Sequence, residues 1–110
     1  MRRTGIDYPE SIDFITRGDG IVRLVLVEPR KLSEDDAPAL QDKLNNYLGY
    51  VINGMLQTQH PEAIDDTVRI RVELATEQIP FIHEFLLLYA STVAEYDVAF
   101  EVVLDGEVII

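Results

Sequence analysis

Cysteine is absent from the 110 residues of this chain, and that one absence excludes a disulfide framework, thiolate zinc sites and thiol catalysis together. Stability has to come from packing. Long apolar runs are missing too. The longest, Phe85 to Ala90, is six residues, whereas about 20 are needed to span a bilayer, so no membrane span is expected. Arg2 and Arg3 resemble the charged start of an export signal, but Thr4 to Pro9 supply neither an apolar stretch nor a small-residue cleavage site. A cytoplasmic location is therefore expected. Basic residues are scarce: nine Lys and Arg face twenty Asp and Glu, for a net charge of −11. A field of that sign repels phosphate backbones and anionic lipid headgroups, so neither nucleic acid nor membrane is an expected partner. It serves solubility, or an acidic surface that docks a basic protein.

Internal repeats, low-complexity tracts and Ser/Gly linkers are also lacking, and the punctuation consists of short loops between periodic segments. With 47% apolar and 26% charged residues, the composition is that of an ordinary globular chain, and the length allows one core. Residues 1–10 read as a loose N-terminal segment, and residues 11–110 as a single α+β domain.

Within that domain the periodicity alternates between strand and helix. Ser11 to Thr16 and Ile21 to Val27 are two extended runs joined by a loop containing Gly18 and Gly20, which predicts a β-hairpin. After Pro29, Ser33 offers a cap, and Glu34, Asp35 and Asp36 offer negative charge to the positive end of a helix. The apolar positions Leu40, Leu44, Tyr47, Leu48, Val51, Ile52 and Met55 then recur at three and four, and Gly54 is the expected stop. Thr67 to Leu74 alternates strictly, with Val68, Ile70, Val72 and Leu74 on one face and Arg69, Arg71 and Glu73 on the other. A second helix, capped by Thr76 with Pro80 in its first turn, runs to about Glu95 or Tyr96. Alternation resumes over Val98 to Leu104, and Asp105 and Gly106 form a hairpin turn into a possible short final strand, Glu107 to Ile110.

This order, ββαβαβ, with right-handed crossovers, predicts a two-layer sandwich: a mixed sheet with two helices on one face. The other face carries Arg23, Val25, Val27, Arg69, Arg71, Glu73, Ala99, Glu101 and Val103, a mixture that can meet water. On it the arginines are placed to pair with Glu73 and Glu101 across strands, as an ion ladder, or to hold an anion.

The segments SIDFI, VRLVLV, LQDKLNNYLGYVINGML, HPEA and VRIRVEL, in this order and spacing, resemble a family of small bacterial proteins known only as a domain of unknown function. The resemblance covers residues 11 to about 104. Its most specific part is the first helix from Leu40 through Gly54, with Lys43, Asn45 and Tyr47 inside it. In that family the segment after the second strand often carries an acidic–His pair and a tryptophan, where this chain has Glu28, Pro29, Arg30, Lys31, Leu32 and Ser33. The resemblance thus implies the fold and no activity.

No catalytic motif is present: two histidines, no nucleophile elbow and no phosphate-cradling glycine loop. His83, between Ile82 and Glu84 at the margin of the apolar arc, reads as a boundary histidine more readily than a base without partners. The loop holding His60, Glu62, Asp65 and Asp66 is the best metal candidate. Its spacing matches no known loop motif, and a solvated acidic loop accounts for it, so no metal and no cofactor are expected. Tyr47 falls in the apolar stripe of the first helix, and Tyr50 off it.

One feature exceeds what the fold needs. The second helix is apolar over an arc of roughly 260°, and resting on one sheet should use less than half of that. Phe81, Phe85, Leu87 and Leu88 are therefore the candidate interface, and a homodimer through that flank is expected. The competing account has Val108, Ile109 and Ile110 covering the flank or the sheet edge within one subunit. The leading functional expectation is a non-catalytic interaction domain, with an immunity or antitoxin-like protein neutralising a basic partner as its specific version. The alternative is an enzyme or ligand-binding domain whose site is dispersed in sequence.

Overall fold

The computed structural model describes residues 4–110; Arg2 and Arg3 lie outside the described residues. The strands are β1 (Phe14–Gly18), β2 (Ile21–Glu28), β3 (Thr67–Leu74), β4 (Ala99–Leu104) and the short β5 (Glu107–Val108). They lie side by side in chain order in one mixed sheet. β1 and β5 are antiparallel to their neighbours, whereas β2, β3 and β4 run parallel. Helices α1 (Ala37–Ile52) and α3 (Pro80–Ala94) form the two parallel crossovers, and a five-residue α2 (Met55–Gln59) follows α1. The chain is thus an α+β fold with a short additional C-terminal strand.

Both hairpins turn on Asp-Gly pairs. Asp19 and Gly20 have φ values of 56° and 75°, and Asp105 and Gly106 have 50° and 84°. Two successive positive φ angles match the right-handed twist of the flanking strands, and few residue pairs other than Asn-Gly and Asp-Gly adopt them cheaply. The first strand begins later than its apolar pattern suggests, at Phe14. Just before it, the Asp13 carboxylate is buried and takes the amides of Gly5 and Val27.

Register follows the pleat. Leu24, Ile70 and Phe100 stand in one cross-strand row, and Leu26, Val72 and Val102 in another. These inner-face residues share a single core cluster with Leu40, Leu44, Tyr47 and Leu48 of α1 and Ile82, Leu86, Tyr89 and Val93 of α3. Truncating a fully buried member such as Leu44 to Ala should cost about 2–5 kcal/mol.

The helix starts differ from the sequence expectation. Ser33 caps a single 3₁₀ turn, Glu34–Asp36, with its N–H and hydroxyl both on the Asp36 carboxylate, at 2.8 and 3.1 Å, and α1 proper begins at Ala37. That backbone hydrogen bond, reinforced by Arg30, holds Asp36 below the usual carboxylate range. α3 is not capped by Thr76. Ile79 is its N-cap, because Pro80, lacking an N–H and with φ already helical, suits the first helical position. Residues 75–79 form a loop held by Gln78. Its Oε1 accepts the Leu32 N–H at 2.7 Å, and its Nε2 donates to the Arg30 and Thr76 carbonyls.

Residues 4–10, read from sequence as part of a loose end, contain a core residue. Ile6 is 1% exposed, and its N–H is held by Glu28 Oε1 at 3.1 Å.

Candidate functional site

The candidate interface falls on α3, a helix whose buried face is Ile82, Leu86, Tyr89 and Val93. A 100° step leaves Phe81, Leu87 and Leu88 on the outer side, and all three are exposed, Leu88 to 71%. Phe85 stands apart from them. It is half-buried against the core, its ring stacked on Tyr89 at 6.1 Å between centroids. Phe81 and Leu88, seven residues apart, thus form one exposed apolar flank of α3, while Leu87 lies about 100° away on the other side of Glu84 and Ser91.

Residues 108–110 leave Phe81 and Leu88 exposed, although Ile109 lines a cavity with Pro80, His83 and Glu84 at the start of α3. The Ile109 N–H donates to the Val102 carbonyl at 2.8 Å, the Val102 N–H donates to Ile110 O, and Ile110 packs on the core. They extend the β4 edge instead, which blunts that edge.

On the outer sheet face Glu101 pairs with the arginines across strands, as expected, whereas Glu73 pairs with Arg71 along its own strand. Arg71 donates from Nε to Glu73 at 3.0 Å and approaches Glu101 at 3.5 Å. Arg23 and Arg69 lie 3.4 and 3.6 Å from the same Glu101 carboxylate. Three guanidinium groups therefore surround one carboxylate, and the buried Arg23 Nε makes no hydrogen bond.

A second polar cluster, which sequence reasoning missed, lies inside the protein. Lys43 projects from α1 between Leu40, Leu44 and Tyr47 and is fully buried. Its Nζ donates to Asp13 Oδ1 and to the Tyr8 carbonyl at 2.8 Å. The Tyr47 hydroxyl donates to the Val25 carbonyl and accepts the Asp13 N–H. The one signal available was position, because Lys43 occupies an apolar slot of the helix pattern. Both side chains of this ion pair are closed to solvent, and breaking such a pair from one side is strongly destabilising, so it fastens the segment before β1 to α1.

The acidic loop is occupied by its own neighbours. Arg17 donates to Asp66 and to the Glu62 carbonyl, and His60 Nδ1 lies 3.4 Å from Glu62. The hydrogen bond to Asp66 raises the Arg17 pKa, and Glu62 is lowered first by its own backbone N–H and then by His60. Among the described residues no group of three His, Asp or Glu side chains is close enough to hold a metal ion. Tyr47 is core, as its position in the stripe implied, and half-buried Tyr50 donates to Gln59.

A cavity of about 440 Å³ opens beside the start of α3, lined by Leu74, Gln78, Pro80, His83, Leu86, Leu104 and Ile109, with Glu77 and Glu84 at it. Apolar side chains dominate it, and its polar members are one imidazole, one amide already bonded, and two carboxylates. That set supplies no nucleophile with a base beside it.

The geometry defines an α+β domain with an exposed apolar flank on α3, one charged sheet face and a buried polar latch. The chain belongs to a family of unknown function, DUF6572, which it matches over residues 4–106. No curated protein and no solved structure matches it. No helix among the described residues is long and apolar enough to cross a membrane.

Proposed function

We propose that this chain is a non-catalytic protein-interaction domain that pairs with a second copy of itself through the outer face of α3. The observation that carries the reading is the exposure of Phe81 and Leu88 on one flank of α3. Soluble proteins seldom leave a contiguous apolar patch unused, and a two-fold pairing covers it with the same residues from both copies. Residues 108–110 cover the β4 edge, as the competing account had it, but leave Phe81 and Leu88 exposed, so that flank stays open for pairing.

The net charge of −11 supports a narrower version, in which the acidic surface also docks a basic protein in the cytoplasm, as immunity and antitoxin-like proteins do.

Sedimentation at micromolar concentration tests the pairing. The wild type should run as a dimer and Leu88→Glu as a folded monomer. Added salt should strengthen the dimer by screening two chains of like charge. A wild-type monomer overturns the pairing, and a dimer indifferent to Leu88→Glu removes α3 from it.

A further inference from the structure

The outer sheet face reverses the sign of the rest of the molecule. Three of the nine basic residues, Arg23, Arg69 and Arg71, stand on it against two carboxylates, Glu73 and Glu101, in a chain of net charge −11. Elsewhere Arg17 pairs with Asp66, Arg30 with Asp36, and buried Lys43 with Asp13.

The register makes the surplus local. Arg23 is directly opposite Arg69, and Arg69 is opposite Ala99, so two like charges share a cross-strand row whose next member is too small to answer them. Like charges directly opposite one another destabilise a sheet. The one relief is Glu101 in the following row, and Arg71 already competes for it. Arg71 hydrogen-bonds to Glu73 and Glu101, whereas Arg23 and Arg69 make only ion-pair approaches, and the buried Arg23 Nε has no hydrogen-bond partner. Arg23 Nε is closed to solvent and turned to Glu101, but both side chains keep part of their surface exposed, 27% and 31%, and a guanidinium so placed matches a second carboxylate.

We propose that the outer sheet face is a second docking surface, which takes an acidic segment of a partner protein with one carboxylate seated on Arg23 and Arg69. A protein carboxylate fits better than a phosphate group. Glu73 and Glu101 stay beside the seat and the molecule as a whole is strongly negative, so each added charge on the ligand costs more. The exposed apolar Val108 on β5, next to Val103 in the same face, gives contact that a small free anion cannot use. The surface is separate from α3 and does not depend on pairing there.

The test titrates the full chain with a blocked peptide of alternating glutamate and valine. Its glutamine counterpart, inorganic phosphate and a short single-stranded DNA serve as comparators. Binding is read from the Arg side-chain Nε–H resonances and by calorimetry. The glutamate peptide should shift the Arg23 and Arg69 resonances saturably, and Arg23→Gln or Arg69→Gln should weaken it about tenfold, the scale of one charge-assisted pair. Glu101→Gln, which removes the competing carboxylate, should tighten binding, a response that a purely structural ladder would not give. Leu88→Glu should leave the titration unchanged, so failure here and failure of α3 pairing are distinguishable. If one arginine variant does not fold, the other and the glutamine peptide carry the comparison. The proposal is overturned by absence of a shift, by equal binding of the glutamine peptide, or by preference for phosphate or DNA.

Discussion

Lys43 Nζ and Asp13 Oδ1 lie 2.6 Å apart with neither side chain exposed, joining α1 to a segment thirty residues earlier in the chain. Asp13 also accepts the Gly5 and Val27 amides through Oδ2, at 3.0 and 2.9 Å. Removing its carboxylate strands a buried ammonium and two backbone donors. Asp13→Ala should cost about 3–5 kcal/mol, read by urea unfolding. Lys43→Met should cost less, since Asp13 keeps its two amide donors and methionine refills the space of the stem. A larger loss for Lys43→Met than for Asp13→Ala would show that the lysine, and not the carboxylate, organises the latch.

Gly5 closes the same segment. Its φ is +87°, and an added Cβ would lie 3.1 Å from Glu28 Oε1, the atom that accepts the Ile6 N–H. Gly5→Ala should therefore destabilise by about 1–2 kcal/mol for the left-handed backbone, plus the displacement of Glu28. Gly54→Ala is the matched control, with φ +79° and nothing within 4 Å of the added atom. Equal losses at the two positions would mean that Glu28 yields without cost.

Tyr89 ties α3 to α1 through a 2.8 Å hydrogen bond from its hydroxyl to Asn45 Oδ1. Burial, with Tyr96 as the smaller cause, pushes its phenol up to about 12. The folded state thus holds the neutral form more strongly than the unfolded state, whose tyrosine titrates at about 10. The resulting stability is fully present below about pH 10 and is lost as pH rises through about 12. Tyrosinate absorbance should show one phenol with a midpoint near pH 12 that is missing in Tyr89→Phe. The variant should also lose less stability than the wild type on going from pH 9 to 12.

The Arg17 and Asp66 pair bears on the acidic loop. With Asp66 hydrogen-bonded to Arg17, and Glu62 giving its carbonyl to Arg17 and its carboxylate to His60, the loop has no need of a cation. Thermal melting should move by less than about 1 °C on adding chelator, whereas a bound structural metal would contribute far more by linkage. A chelator-induced drop of several degrees, restored by calcium, magnesium or zinc, would reverse this reading.

Much of the architecture is readable from local pattern. Thr67 to Leu74 alternates, and its register puts Ile70 and Val72 in the core and Arg69 and Arg71 on the other face. Asp105 and Gly106 turn the chain because their backbone angles are a local matter. The excess apolar arc of α3 is likewise a property of spacing, and so is the ladder of Arg69, Arg71, Glu73 and Glu101. What local pattern does not contain is pairing at a distance. Asp13 sits between Ile12 and Phe14 with no mark of burial, and Lys43 reads as a charge misplaced in an apolar stripe. Each becomes tolerable inside the protein only because the fold brings the other to it, and a buried charge has no stable place until its partner is fixed. In the same way Gln78 shows its role only once the loop after β3 meets the segment after β2, where three backbone groups converge on one amide. The elements followed from nearest-neighbour chemistry, while the latch, the anchored Ile6 and the shared carboxylate of Glu101 were decided by tertiary contact.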